Sequence, residues 1–370
     1  MATFKSLGVS EEFLKALKEV NIVQPTEIQE RAIPFLLSKG SDFIGQAQTG
    51  TGKTAAFGLP LLHRVDPKNK NVQALILSPT RELGQQIAKQ LFKFTKYSEK
   101  IYTEAVYGGA RIENQIAALR RPTQIVVATP GRLVDLLDRK AIDLSHISTI
   151  VLDEADEMLS MGFKKELDNI LKRTSGTRNT WLFSATMPGE IKQIIKTYMA
   201  PDAYKVEVDK DEIVNASIEH QYMICDASQK LDALIHFVKV QGEKRGIIFC
   251  KTKAAAKLLA QQLISKNLDV DAIHGDLMQK ERDKVMRAFH KHKVRVLIAT
   301  DISARGIDVA NLAYVAHYQL PDQLEYYTHR SGRTARAGKK GLSICFVEPQ
   351  EVKRIRQIEK ELSISFNQAG

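Results

Sequence analysis

The sequence predicts an α/β protein of two tandem domains, each a parallel sheet flanked by helices. Three observations carry this expectation. Short apolar runs alternate with longer stretches of helical periodicity, the pattern of a parallel sheet covered by helices. The alternation lapses over the polar and charged segment 206–217 and then restarts. A chain of 370 residues is also too long for one ordinary hydrophobic core. The expected division is a first domain over 1–207, a linker over 208–217 and a second domain over 218–370.

The elements follow in order. Ser10 stands as an N-cap ahead of a helix over 11–20, and Gln24-Pro25-Thr26 interrupts the chain before a helix over about 27–37. Strands are expected at 42–45, 74–77, 103–107, 125–128, 149–152 and 180–183, with helices over 54–65, 82–97, 131–137 and 188–199. Beyond the linker, strands fall near 219–224, 246–250, 270–273, 295–299, 312–317 and 342–347. Helices there cover 229–240, 253–265, 279–290, 324–330 and 350–362. No short repeat or low-complexity tract occurs.

Composition narrows the function classes. Lys and Arg number 54 against 43 Asp and Glu, a formal charge of +11. That balance suits a polyanionic partner, nucleic acid first, although a basic surface alone gives the same count. Cys225, Cys250 and Cys345 are widely spaced, with no metal-ligand pattern; Cys250 and Cys345 sit in apolar runs and read as buried reduced thiols, which suits a reducing, cytoplasmic compartment. The N-terminus lacks the apolar stretch of a signal peptide, and no run approaches the roughly 18 apolar residues of a membrane span.

Two motifs carry chemistry. Thr149-Ile-Val-Leu-Asp153-Glu154-Ala155-Asp156 is an apolar strand running into three acids at its carboxyl end, where open α/β sheets bind ligands. Alone, the acids read more readily as a cap for the next helix. The second motif changes that balance. Ala47-Gln48-Thr49-Gly50-Thr51-Gly52-Lys53-Thr54 lies between a strand and a helix. Its glycines let backbone N–H groups surround phosphate oxygens, Lys53 reaches the β/γ-phosphates, and Thr54 offers a hydroxyl to Mg²⁺. A phosphate loop followed by strand-Asp-Glu is a nucleotide-hydrolase arrangement, with Asp153 on Mg²⁺ and Glu154 as the base for water.

With Ser184-Ala185-Thr186 and His329-Arg330-Ser331-Gly332-Arg333-Thr334-Ala335-Arg336 added, the chain resembles a DEAD-box ATP-dependent RNA helicase of superfamily 2 from about residue 4 to 347. The resemblance implies two RecA-like domains. It implies that Gln29, in Pro25-Thr26-Glu-Ile-Gln29, reads adenine, with Phe4 as the upstream aromatic. Ile22 stands where the family usually has Phe or Tyr. The resemblance further implies that Asp156, Ser184 and Thr186 couple ATP state to RNA unwinding, although Ser-Ala-Thr alone reads as an N-cap. It implies that Asp308 binds the ribose, that His329 links to the catalytic water, and that Arg333 and Arg336 are arginine fingers, contributing about 10³–10⁵ in rate. Ala335 and Ser331 depart from the family's glycine and apolar residue.

The resemblance also implies RNA contacts. In the first domain these are Pro79, Thr80, Arg81, Gly108, Gly109, Thr129 and Arg132; in the second, Thr252, Gly275, Arg282, Thr300 and Gly306. Glycine-exposed amides, helix N-termini and arginines suit phosphate and carry no base code, so single-stranded or short-duplex RNA is bound without sequence preference. The implied protein is a monomer in which ATP, held by Lys53, Asp153 and Glu154 and by Asp308, Arg333 and Arg336, closes the domains on RNA. Hydrolysis then releases the RNA. The rival readings are a DNA translocase of the same superfamily and an ATP-gated RNA clamp.

Overall fold

The computed structural model describes residues 2–369 apart from 39–40, 49, 175–177, 209–216, 305–306, 308–311 and 336–339. The chain divides into two compact units, Met1–Lys210 and Asp211–Gly370. Of the expected linker, only Val208 and Ser217 are among the described residues.

Unit one runs α1 (Glu11–Glu19), α2 (Glu27–Ser38), β1 (Phe43–Gln46), α3 (Lys53–Arg64), β2 (Ala74–Leu77), α4 (Arg81–Phe94), β3 (Thr103–Val106) and α5 (Ile112–Leu119). It continues with β4 (Ile125–Ala128), α6 (Pro130–Asp138), β5 (Thr149–Leu152), α7 (Ala155–Ser160), α8 (Lys164–Arg173), β6 (Asn179–Ser184), α9 (Gly189–Tyr198) and β7 (Tyr204–Glu207). Unit two runs β8 (Ile218–Ile224), α10 (Lys230–Gln241), β9 (Gly246–Phe249), α11 (Lys253–Ile264), β10 (Val270–Ile273), α12 (Gln279–His290) and β11 (Val296–Ala299). After it come α13 (Asp301–Ala304), β12 (Tyr314–His317), α14 (Leu324–Ser331), β13 (Gly341–Val347), α15 (Val352–Leu362) and β14 (Phe366–Gln368).

Each unit holds one parallel sheet. The first has the order β3-β4-β2-β5-β6-β1-β7, and the second β10-β11-β9-β12-β13-β8-β14. Adding seven to each strand number of the first gives the second, so both units are wound alike. The strands are buried on both faces, which explains their unbroken apolar runs. Ile76, Val127, Val151, Trp181 and Phe183 pack on one face of the first sheet. Their neighbours Leu75, Val126, Ile150, Leu152 and Leu182 pack on the other.

Three expectations need correction. Ser10 has N-cap backbone geometry but makes no side-chain cap bond; its N–H donates instead to His63 Nε2 at 3.3 Å. The lapse expected from residue 206 starts later, because Tyr204–Glu207 pairs with β1. The edge strands β7 and β14 lie outside the expected set, as do α5, α7, α8 and α13. Tyr204 and Lys205 are exposed, as are Asn367 and Gln368, so neither edge strand has the buried run that marks the central ones.

Candidate functional site

Because every strand pair is parallel, the loops after the strands share one edge of each sheet. In unit one the loop from β1 into α3 is built on two glycines at positive φ, Gly50 at 89° and Gly52 at 90°, where side-chain-bearing residues are strained. The loop is tied inward. Thr51 Oγ1 donates to Gln48 O at 2.8 Å, Thr26 Oγ1 to Thr51 O at 2.7 Å, and Gln29 Nε2 to Gly52 O at 3.0 Å. Lys53 opens α3, is 6% exposed, and its Nζ donates to Ala47 O at 3.1 Å. Thr54 follows it, half-buried. Thr49 lies outside the described residues.

A Cβ on Gly52 would come within 2.3 Å of Gln29 Nε2. Gly52→Ala is therefore expected to destabilise the chain by about 1–3 kcal/mol and to detach Gln29 from the loop. Thermal unfolding and a nucleotide titration check both effects; a variant with unaltered Tm and affinity would remove the glycine requirement.

A cavity of about 510 Å³ opens beside this loop, lined by Ile22, Val23, Gln24, Thr26, Gln29 and Gly52 among others. Ile22 presents an apolar face to it. Gln29 is 3% exposed, and its Oε1 accepts from Thr26 N at 2.9 Å. With Nε2 on Gly52 O, its amide keeps one N–H and one lone pair for a ligand. Phe4, grouped with the nucleotide-binding residues as the upstream aromatic, is 3% exposed and packed in the hydrophobic core. Position along the sequence identified the aromatic but carried no information on its depth.

The acids follow β5, two strands from β1 in the sheet. Asp153 is 2% exposed, and burial pushes its carboxyl up to about 7, with the Lys53 ammonium pulling the other way and Glu154 adding to the rise. Glu154 is half-buried and sits at φ 51°, ψ 52°, a left-handed conformation unusual for a side-chain-bearing residue. Asp156 is fully engaged: Oδ2 accepts from Thr186 N and Thr186 Oγ1, both at 2.8 Å, and Oδ1 from Glu157 N at 3.1 Å. Ser184 Oγ accepts from Asp156 N at 3.2 Å and donates to Thr186 O at 2.8 Å. The hydroxyls after β6 thus reach Asp156. Among the described residues no three His, Cys, Asp or Glu side chains gather as a ready metal site, and Asp156 is already bonded, so the oxygen donors left for a hard divalent cation are the Asp153 carboxylate and the Thr54 hydroxyl at the head of α3.

In unit two Gly306, Asp308 and Arg336 lie outside the described residues. Arg333 follows α14, and its Nη1 donates to Ile307 O at 3.3 Å. His329 lies in the last turn of α14. Arg330, which carries no signal of its own in the sequence, anchors this segment. It is 1% exposed and grips Asp301 with two bonds, Nε to Oδ1 at 2.5 Å and Nη2 to Oδ2 at 2.7 Å. Nη1 donates to Gln319 O at 2.8 Å, and the guanidinium lies 4.9 Å from the Phe249 ring centroid. A buried polar chain continues from it through His317, Ser343, Tyr327 and His220. Ser331 joins this chain through Ser343 at 2.9 Å, which accounts for a hydroxyl at an otherwise apolar position.

Burial lowers His220 to about 4, and burial with the nearby Arg330 charge lowers His317 well below 6.5. Unfolded histidines take up protons near pH 6.5 while these folded ones do not, so stability falls as pH drops below that value. The expected loss is about 1.4 kcal/mol per pH unit per histidine, continuing for His220 toward pH 4. Urea unfolding at pH 7 and pH 5.5 checks this; equal midpoints would contradict it.

The loops expected to meet RNA cluster separately. In unit one they follow β2, β3 and β4, three adjacent strands. Thr80 caps α4 by accepting from Leu83 N at 3.3 Å, behind buried Pro79. Arg81 lies across Gly109, where a Cβ would come within 2.7 Å of Nη1, and bonds Glu82 at 3.0 Å. Gly108 is exposed. Thr129 stands at the N-cap of α6 without a cap bond, and Arg132 holds Gln115 at 2.7 Å and Ala110 O at 3.1 Å. In unit two the loops follow β9, β10 and β11, again adjacent. Thr252 caps α11 through Ala255 N at 3.1 Å, and Gly275 is exposed. Arg282 Nη2 donates to Ser303 O at 2.6 Å, and Thr300 Oγ1 donates to Ser303 Oγ at 3.0 Å. His274 Nδ1 and Gln279 Oε1 are buried without a hydrogen-bond partner among the described residues.

Comparison with known proteins agrees with these motifs. The DEAD/DEAH box helicase model matches residues 26–194, and the helicase conserved C-terminal domain model matches 229–338. The ATP-dependent RNA helicase CshA of Listeria monocytogenes is 43% identical over 97% of this chain and 69% of its own length. The DEAD-box ATP-dependent RNA helicase CshA of Geobacillus kaustophilus is 41% identical over 97% and 76%. Among solved structures, S. cerevisiae Dbp5 bound to RNA and ADP BeF3 has a TM-score of 0.92 at 33% identity, covering 100% of this chain and 96% of that one. Mss116p bound to ssRNA and AMP-PNP has a TM-score of 0.87 at 30% identity, covering 100% and 80%. Among the described residues no helix is long and apolar enough to cross a membrane.

Proposed function

The chain belongs to the DEAD/DEAH box family of ATP-dependent RNA helicases, and on that premise we propose how its own residues divide the work. The loop 47–54 holds the ATP phosphates, with Lys53 supplying the positive charge and Gln29 offering its remaining N–H and lone pair to the adenine edge. Asp153 and Thr54 hold Mg²⁺, which when bound supplies charge neutralisation on the phosphates. Glu154 orients the attacking water and takes its proton. Arg333 and Arg336 stabilise charge developing on the transferred phosphoryl group, His329 links their segment to the water, and Asp308 takes the ribose hydroxyls.

RNA lies on the loops after β2, β3 and β4 and on those after β9, β10 and β11, with Pro79, Arg81, Gly109, Arg132, Gly275, Arg282, Thr300 and Gly306 among its contacts. The observation that carries this reading is the partition of the first sheet. Phosphate-loop, acidic and Ser-Ala-Thr segments follow β1, β5 and β6, while the glycine, threonine and arginine loops follow β2, β3 and β4. β2 and β5 are neighbours, so the two groups meet at one strand boundary. Asp156, held by Ser184 and Thr186, is suited to pass a change at the acids into β6 and the helix beyond. Backbone contacts of this type act on RNA without reading its sequence, and the 2′-hydroxyl distinguishes RNA from DNA. The protein acts as a monomer in the cytoplasm, where its three buried thiols stay reduced.

The test compares ATP turnover with single-stranded RNA and with DNA of the same sequence, followed by displacement of a short RNA duplex. RNA-selective stimulation with displacement is expected. Equal stimulation by DNA would favour a translocase, and stimulation without displacement would favour a clamp.

A further inference from the structure

The outer face of α12 carries charge that the site above does not use. At about 100° per residue, buried Arg282, Val285 and Phe289 define one side of the helix, and Lys280, Lys284, Arg287 and Lys291 fall within about 60° of arc on the opposite side. All four are exposed. The exposed acids of α12 flank the stripe and keep their charge, but their carboxylates are turned to neutral donors and not to its basic side chains: Glu281 Oε2 accepts from Met278 N at 2.8 Å, and Asp283 Oδ1 from Gln279 Nε2 at 2.7 Å. Among the described residues none of the four basic side chains has a carboxylate partner. Lys293, exposed two residues further on, extends the same sign of charge.

The fold does not require this charge. The sheets share one strand order, so α5, which follows β3, stands in unit one where α12, which follows β10, stands in unit two. α5 reads Ile-Glu-Asn-Gln-Ile-Ala-Ala-Leu with no Lys or Arg along its length; its basic neighbours Arg111, Arg120 and Arg121 stand only at and just beyond its ends. A face that merely needs solvation mixes both signs. The stripe also begins where the RNA loops end. Lys280 lies five residues beyond Gly275, and the stripe then runs for about 16 Å along the helix, away from the loop edge of the sheet.

We propose that this face of α12 is a second RNA-backbone surface, taking the stretch of RNA that continues past the loops after β9, β10 and β11. The proposal rests on the reading that those loops hold RNA. Lysines and an arginine on an exposed helix neutralise phosphates as point charges, so the surface adds affinity without sequence preference and weakens with salt.

The test is a triple variant, Lys284→Gln/Arg287→Gln/Lys291→Gln, of the full chain. Its binding is measured to a short single strand that only fills the loops and to one several times longer, over a range of salt. For the long RNA the salt slope is expected to fall by about 2, from three phosphate contacts at roughly 0.7 each, with affinity at low salt falling on the order of ten-fold. The short RNA should bind the variant as it binds the wild type, and Lys284→Arg/Lys291→Arg should keep the long-RNA affinity. An unchanged slope for long RNA, or equal weakening on both lengths, would overturn the proposal. If wild-type protein bound neither RNA, the reading of the loops themselves would fail instead.

Discussion

Glu154→Gln is expected to lower RNA-stimulated ATP turnover by about 10²–10⁴, the range for loss of a general base. Binding of ATP and RNA should survive, because the amide is nearly isosteric and the backbone is unchanged. The choice among the three acids follows from their surroundings. Asp156 is held by Thr186 through Oδ2 and by Glu157 N through Oδ1. Asp153 is 2% exposed and lies within the field of the Lys53 ammonium. Glu154 is the half-buried one, and its left-handed backbone at φ 51° turns it out of the line of β5. Strain of this kind, about 1–3 kcal/mol, is kept where a side chain must be aimed. Glu154→Gly makes a second arm: it relieves the strain and so should raise Tm while abolishing turnover. ATP hydrolysis at the wild-type rate in Glu154→Gln would place the base elsewhere.

The fold was legible where burial is symmetric. Runs such as Ile125-Val126-Val127-Ala128 show no alternation because both faces of the sheet are covered, and those strands fall within a residue or two of expectation. β7 and β14 were not legible, since Tyr204-Lys205 and Asn367-Gln368 face solvent. The matching strand orders of the two sheets leave no local pattern to read. At the site, loop chemistry was legible because glycine at positive φ and lysine at a helix start are local requirements. Depth was not. Phe4 was grouped with the nucleotide-binding residues and packs in the core, while Gln29 holds Thr26 and Gly52 before it meets any ligand. Nor does the spelling His-Arg-Ser-Gly-Arg reveal that Arg330 is fully buried and Arg333 only half-buried. That depends on Asp301, His317 and Gln319, which come from other elements.

Arg330→Ala is expected to destabilise the chain by about 3–5 kcal/mol, the range for breaking a buried ion pair by removing one partner. The guanidinium is 1% exposed and makes two bonds to Asp301 and one to Gln319 O. Its removal strands the carboxylate, opens a void under Phe249 and unties His317. Arg330→Lys should recover little, because an ammonium cannot reproduce the two-bond fork. Asp301→Ala should also destabilise, leaving a buried cation beside His317. The double variant should lose clearly less than the sum of the two, since neither charge is then left alone. Denaturant unfolding of the four proteins gives this coupling directly. Additive losses would mean that Arg330 acts through packing on Phe249 and not through Asp301. The same cycle separates anchoring from folding. If Arg330 holds the segment bearing His329 and Arg333 in place, Arg330→Lys at temperatures where it stays folded should lower kcat for ATP more than it raises KM. A variant that loses stability while keeping kcat would confine Arg330 to a structural role.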